Sequence, residues 1–304
     1  MTQLLNALPG ALAQGLIWGV MAIGVYITYK VLDIADLTVD GSICTGAAVC
    51  TMLLLGGQSP WLALLCAVLA GVLPGAVTGL LHVGLGIPPI LAGILTQMVL
   101  WSVNLKLLGK ANQALPARTT PVLLSQMDVG GALPVLLGFC VVLVALLELF
   151  FGTELGYALR ATGCNPVMSR AQGVNTGLMK VIGLALSNGV VALSGALLCQ
   201  YQGYTDVNMG RGAVVIGLAA VVIGQAVLGR RGGRMAVQLG GVILGAVIYY
   251  IVYQVIIFAG FDTDLLKMFS AVVVAVFLGA PHVKAQLKAH SRSKKGDSGH
   301  AENE

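Results

Sequence analysis

The chain has 304 residues, of which 57% are apolar and only 10% charged, with a mean hydropathy of +0.91. Soluble domains average about 25% charged residues, so a single water-soluble core is excluded and lipid is the expected solvent. The net charge of +5 does not describe a nucleic-acid surface: five basic residues (Lys284, Lys288, Arg292, Lys294, Lys295) lie in a polar tail, and most others lie in short loops.

A membrane-spanning helix needs about 20 apolar residues, and about nine candidates follow in chain order. The first, 8–29, exceeds the about 7–15 apolar residues of a signal-peptide core and is read as a retained span. The others are 40–56, 60–82, 87–108, 132–152, 176–200, 212–229, 236–259 and 265–280. The second, seventh and ninth are short, as helices broken around a pathway are. Small residues recur at every fourth position: Gly15 and Gly19 in the first span, Ala67, Gly71, Gly75 and Gly79 in the third, Gly241 and Gly245 in the eighth. Such faces let helices approach closely; packing within one subunit is the plainer reading, a subunit interface the other. Asp40-Gly41-Ser42 opens the second span and Met209-Gly210-Arg211-Gly212 the seventh, each before an Ala/Gly/Val-rich run. With the orientation below, the first break lies toward the cytoplasm and the second toward the outside, as in an inverted-topology repeat. The expected fold is an all-α polytopic bundle over 1–281, followed by a basic, polar cytoplasmic tail over 282–304.

Basic residues set the orientation. If the loop at 152–175 is cytoplasmic, that side holds Lys30, Arg160, Arg170, Lys180, Arg230, Arg231, Arg234 and the five tail residues. Lys106, Lys110, Arg118, Arg211 and Lys267 fall outside. The N-terminus then faces out and the C-terminus in.

Catalytic and nucleotide-binding signatures are missing from the sequence. There is no G-x-x-x-x-G-K-[ST] loop, since Gly109-Lys110 continues with Ala111. His82, His282, His290 and His300 do not cluster, and no Ser–His–Asp order is credible. The six cysteines form no C-x-x-C pair and read as small buried hydrophobes. No cofactor, metal or enzymatic activity is expected, so any energy source must reside on a partner.

The informative loop is GTELGYALRATGCNPVMSRAQGVN, residues 152–175. It predicts a short helix around Tyr157–Thr162 after a cap at Thr153-Glu154, with a stop at Asn165-Pro166. Composition alone is equally consistent with an ordinary basic cytoplasmic loop. The loop resembles that of binding-protein-dependent importer permeases of the branched-chain amino acid/ribose type. Their pattern, T-x-x-G-x-x-x-R-A-x-G-x-N followed by A-x-x-x-G-[IV]-N, is similar to Thr153, Gly156, Arg160, Ala161, Gly163, Asn165 and then Gly173-Val174-Asn175, with a departure in that one residue rather than three separates Ala171 from Gly173. Leu37-Thr38-Val39-Asp40-Gly41-Ser42 is similar to that family's L-S-V-G-S turn, with an added acidic residue, and the likeness extends over about residues 10–280. The resemblance implies that the short helix is a coupling helix seated in a groove of an ATP-binding subunit. It also implies two paired permease chains, a homodimer or a pair of close relatives, and an extracytoplasmic substrate-binding protein, all at a bacterial inner membrane. Thr153, Gly156, Arg160, Ala161, Gly163, Asn165, Arg170 and Gly173 are the coupling residues it implies. Gly163 is expected to form the turn ending the short helix, and Arg160 and Arg170 to meet acidic partner surface.

Polar groups within the spans are candidates for the pathway: Asp40, Gln97, Asn188 and Gln225, with Asn104, Ser187 and Ser194 beside them. The alternative for each is interhelical hydrogen bonding, worth about 0.6 kcal/mol on average. Asp33, Asp36 and Asp40 cluster after Lys30 and either line a wet cavity or sit at the cytoplasmic surface, the second being expected because Lys30 marks the interface. The wording around Gln200–Gly203 and Met209–Gly212 resembles a subgroup for amino-acid uptake, aromatic amino acids included. The rival function is an ion- or proton-coupled secondary transporter, which would carry a membrane-embedded acidic relay; Glu148 is the one acidic residue within the later spans. An intramembrane enzyme is the more distant rival.

Overall fold

The computed structural model describes residues 2–116, 120–228 and 234–258, with 268, 272 and 275. The ninth candidate span at 265–280, the tail, Arg118, Arg230, Arg231 and Lys267 fall outside, apart from those three positions. The chain separates into two units, Met1–Val255 and Ile256–Glu304, and the first carries everything that follows.

Its long helices are α1 (Thr2–Tyr26), α2 (Val39–Leu55), α3 (Pro60–Gly84), α4 (Pro89–Leu108) and α5 (Val129–Phe151). Two short helices follow, α6 (Glu154–Cys164) and α7 (Pro166–Ala171), then α8 (Thr176–Gln202), α9 (Ala213–Leu228) and α10 (Met235–Phe258). A π-helical turn, Ile27–Val31, prolongs α1. Among the described residues, six helices are long and apolar enough to cross a membrane, counting α1 with its π turn, and α2 and α9 are shorter apolar helices. The fold is therefore an all-α membrane bundle. One addition has no counterpart in the sequence pattern, an antiparallel pair of three-residue strands, β1 (Asn112–Ala114) and β2 (Tyr204–Asp206).

Local chemistry sets the ends. Ser59 caps α3, with Pro60 at its first turn, where a missing N–H costs nothing. Gly109 and Gly203 end α4 and α8 at φ +73° and +75°, a left-handed conformation that glycine adopts without strain.

In α1 and α8, 78% of the most apolar stretch is buried, against 17% in α5. Hence α1 and α8 form the centre, and α3, α4 and α5 present apolar side chains such as Leu69, Leu73, Met98, Val141 and Leu149 outward, as a lipid solvent permits. Small residues set the close crossings. A Cβ on Gly75 or Gly79 of α3 would meet backbone of α8 at Ala185 or Val181, 2.8 Å away in each case. Gly15 and Gly19 of α1 meet Val247 and Ile243 of α10, while Gly241 and Gly245 of α10 meet α9. These small-residue faces therefore pack within the chain.

Contacts along α8 give the directions. Gly24 and Ile17 of α1 meet Ser187 and Ser194, so α1 and α8 are antiparallel. Ser42, Gly46 and Cys50 of α2 meet Asn188, Ala192 and Ala196, so α2 runs parallel to α8. Because Asn188 is midway along the 27-residue α8, α2 begins at mid-depth, about 18 Å from the start of α8 at 1.5 Å per residue.

Candidate functional site

Two non-helical segments enter the bundle from opposite ends. The first, 32–38, follows α1. Leu32 packs on Gly183 of α8, and Asp36 is 5% exposed. One Asp36 carboxylate oxygen accepts from Thr38 N at 2.8 Å and the other from Asn188 Nδ2 at 2.7 Å. The Ser42 hydroxyl donates to Asn188 Oδ1 at 2.6 Å. A cytoplasmic-surface location for Asp36 is thus overturned: its carboxylate is carried to mid-depth, where it needs these donors. Asp33 is exposed, with φ +56°.

The second segment, 203–212, turns back from the end of α8 and runs down α2. Thr205 bonds Thr51 at 2.6 Å, Gly210 N donates to Cys44 Sγ at 3.2 Å, and Gly212 N donates to Asp40 at 3.0 Å. The α9 helix then starts where α2 starts. Asp40, in the first turn of α2, accepts from Gly212 N and Val214 N at 3.0 Å each and so caps α9 across the break. As α9 is antiparallel to α10 and α10 to α1, α2 and α9 diverge from a shared point. The Asp40 and Met209–Gly212 breaks, expected at opposite faces, meet at the centre. The reason is that each is reached by an extended segment that dips inward.

Beside this junction lies a cavity of about 240 Å³, lined by Asp40, Gly41 and Cys44 of α2, Gln97, Met98, Trp101 and Asn104 of α4, and Val207 and Arg211 of the inward segment. Two of the four pathway candidates, Asp40 and Gln97, are in its wall. Asn188 is not, being consumed by Asp36, Ser42 and the Leu184 carbonyl, and Gln225 is exposed on α9. Ser187 and Ser194 donate to carbonyls of α1 at 2.8 and 2.7 Å, the interhelical alternative. Arg211, assigned to the outer loops from charge counting, is in the cavity wall, and Trp101 was not singled out from sequence at all. Glu148 accepts from Ala236 N and caps α10 rather than serving a proton relay.

The 153–175 segment forms a corner at the C-terminal end of α1, against the π turn. Thr153 caps α6 by accepting from Gly156 N at 3.3 Å. Asn165, whose own N–H donates to Ala161 O, ends α6 and caps α7 by accepting from Val167 N and Met168 N at 3.1 and 3.0 Å. Gly173 turns the chain at φ +86° before Asn175 caps α8. Gly156 sits against the Phe150–Phe151 backbone, and Gly163 against the Val31 carbonyl at the end of the π turn. Gly163 is inside α6, not in a turn after it, so a close approach of backbones is what demands glycine there. Arg160 stacks over Tyr157 at 4.7 Å and points Nη2 at Phe151 O, 3.5 Å away. Arg170 Nε donates to Thr176 Oγ1 at 2.7 Å. Apolar side chains stand on the outward face, with Leu155, Tyr157, Val167 and Met168 all at least half exposed, beside the exposed Glu154, Asn165, Arg170 and Gln172.

Among the described residues no group of three or more His, Cys, Asp or Glu side chains could hold a metal ion, and the six cysteines are free thiols, four of them buried.

A family model described as "Branched-chain amino acid transport system / permease component" matches residues 8–280. The chain is similar to a tyrosine transport system permease protein of Clostridioides difficile (strain R20291), 37% identical, covering 93% of this chain and 94% of that one. It is 33% identical to the uncharacterized protein RP368 of Rickettsia prowazekii (strain Madrid E), covering 91% and 98%. It is 29% identical to the autoinducer 2 import system permease protein LsrC of Escherichia coli (strain K12 / DH10B), over 67% of this chain and 60% of that one. No solved structure matches.

Proposed function

Because the chain belongs to the permease-component family of branched-chain amino acid transport systems, we propose that it imports an amino acid, coupled to ATP hydrolysis through α6 and α7. It is a multi-pass inner-membrane transport subunit of an ATP-driven importer and not an enzyme. Its family works with an ATP-binding subunit and a substrate-binding protein.

The observation that carries the coupling assignment is the α6–α7 corner. Its inner side is pinned to α1, α5 and α8, and its outer side offers Leu155, Tyr157, Val167 and Met168. Thr153, Gly156, Arg160, Ala161, Gly163, Asn165, Arg170 and Gly173 build this corner, and the apolar face is what enters the ATPase groove. A displacement of that partner on closing around ATP then shifts the bundle between two states. Eight of the nine spans are α1–α5 and α8–α10, with the ninth at 265–280. The N-terminus faces out, the 153–175 corner and the C-terminus face in, and α1–α2 and α8–α9 are inverted repeats whose breaks meet at Asp40. Two copies pair in the lipid around a shared pathway, with the Asp40–Gln97 cavity facing it. Amino-acid cargo follows from the tyrosine permease relative.

The test is co-purification of the ATP-binding subunit with Tyr157→Asp and Met168→Asp variants. We expect loss of the subunit and of ATP-driven uptake, with membrane insertion intact. A complex that survives both substitutions and still transports would remove α6–α7 from the interface.

A further inference from the structure

We propose that the cavity between α2, α4 and the 203–212 segment is a binding subsite that reads the zwitterion of an aromatic α-amino acid, with Arg211 taking the carboxylate and Asn104 the ammonium beside the charge of Asp40. The inference rests on the amino-acid reading above and goes beyond it by naming the atoms.

Three observations converge. First, Arg211 lines the cavity with its side chain exposed, and it makes no side-chain hydrogen bond or ion pair to any described residue. Its nearest acidic neighbour in the wall, Asp40, already gives both carboxylate oxygens to the α9 backbone. A guanidinium at mid-depth of a lipid-embedded bundle is costly unless it is served by a partner or a wet cavity. Its planar set of donors matches a carboxylate in bidentate fashion.

Second, Asn104 is 1% exposed, and its Nδ2 donates to the Gly41 carbonyl at 3.5 Å. Its Oδ1 has no hydrogen-bond partner. A buried acceptor left unpaired is unfavourable, and an ammonium donor relieves it. The Asp40 carboxylate in the same wall adds the negative charge that makes a cation, rather than a neutral amide, the fitting donor.

Third, the rest of the wall is Trp101, Met98, Val207, Cys44 and Gly41, with the Gln97 amide beside them. Trp101 offers an aromatic face for offset stacking, and the Met98 thioether adapts to an aromatic edge. The volume of about 240 Å³ lies below the about 300–1,000 Å³ of drug-sized pockets, a size for one small solute. A cation and an unpaired acceptor beside a carboxylate, with an aromatic wall between, complement a zwitterion. A neutral nucleoside or sugar would leave Arg211 unpaired.

The experiment uses the permease–ATPase complex in nanodiscs, without the binding protein, and follows thermal unfolding with three probes. These are L-tyrosine, tyramine (no carboxylate) and 3-(4-hydroxyphenyl)propionate (no ammonium). We expect L-tyrosine to raise the midpoint and the two analogues to bind about tenfold or more weakly, because each leaves one cavity group unpaired. Arg211→Gln and Asn104→Leu should each weaken L-tyrosine by about tenfold, Arg211→Lys should recover part of the loss, and the exposed Lys106→Gln should respond like wild type. Equal response to tyramine, an unchanged response in Arg211→Gln, or no response of wild type at any soluble concentration of L-tyrosine overturns the assignment. Uptake by the complete system separates the two readings. If wild type imports no amino acid, the amino-acid reading falls. If it imports L-tyrosine and both cavity variants do so at the wild-type rate, only the cavity assignment falls.

Discussion

Gly163→Ala tests how the coupling corner is joined to the first span. A Cβ built there overlaps the Val31 carbonyl oxygen and lies 2.8 Å from the Val31 carbonyl carbon and 3.0 Å from Leu32 Cα. Carbon atoms settle about 3.5 Å apart at closest, so α6 must retreat by at least about 0.7 Å from the π turn. The neighbour is backbone and cannot swing aside. Leu32 in turn is packed on Gly183, so the π turn cannot retreat either. Overpacking of this kind costs about 1–3 kcal/mol, and one decade of equilibrium corresponds to about 1.4 kcal/mol. The seated position of α6 should therefore lose about fivefold to a hundredfold in occupancy. ATP-driven uptake in proteoliposomes should fall by about that factor while the ATP-binding subunit remains bound and continues basal hydrolysis. Gly138→Ala is the control, since nothing lies within 4 Å of its added Cβ. Uptake at the wild-type rate in Gly163→Ala would refute the reasoning, because it would mean that α6 moves independently of α1.

Asn188→Leu should lower thermal stability by about 1.5–3 kcal/mol, read from unfolding in detergent, since it strips a donor from the buried Asp36 carboxylate; an unchanged midpoint would show that Asp36 finds other donors. Asp40→Ala removes the cap across the break and should cost about 0.5–2 kcal/mol, with Asp40→Asn retaining part; equal loss in both would argue against capping as the role. For orientation, a membrane-impermeant maleimide applied to intact cells should leave the exposed Cys164 unlabelled and label Gln58→Cys, and the reverse pattern would invert the topology.

The sequence was legible where periodicity and local chemistry act alone. Small residues at every fourth position in α1, α3 and α10 marked the tight crossings because a helix face repeats at that spacing. The Thr153, Asn165 and Pro166 signals marked the α6–α7 corner because capping is decided within four residues. Short apolar runs at 40–56 and 212–229 marked the broken helices. What could not be read is where the non-helical segments go. Residues 32–38 are polar enough to pass for an interfacial loop. Only the pairing of Asp36 with Asn188, 152 positions away, shows that the segment re-enters the bundle. Arg211 was misplaced for the same reason. Charge counting assigns a residue to whichever face its loop nominally touches, and segment 203–212 folds back from that face to mid-depth. The β1–β2 pairing, three residues long on each side, is below any pattern a sequence displays.

These segments also explain how the two halves of the candidate machinery can be parts of one device. Gly163 of α6 bears on Val31 and Leu32, and Leu32 bears on Gly183. Four residues later Asp36 is bonded to Asn188, which is bonded to Ser42 of α2. Asp40, half a turn before Ser42, holds the start of α9 and forms part of the cavity wall. From α6 to the cavity the contacts are thus contiguous over ten residues of chain, through the non-helical 32–38 segment. Both ends of this stretch are fixed by backbone contact or by buried hydrogen bonds, which break discretely rather than stretch. A displacement of α6 then has two outcomes: the 31–40 segment travels with it and carries Asp40, or the Asp36–Asn188 bond breaks. Asp40 cannot follow without either dragging the first turn of α9 or releasing Gly212 and Val214. Under the coupling role proposed above for α6, this run of contacts is the route by which its movement would reach the point where α2 and α9 begin and the cavity opens.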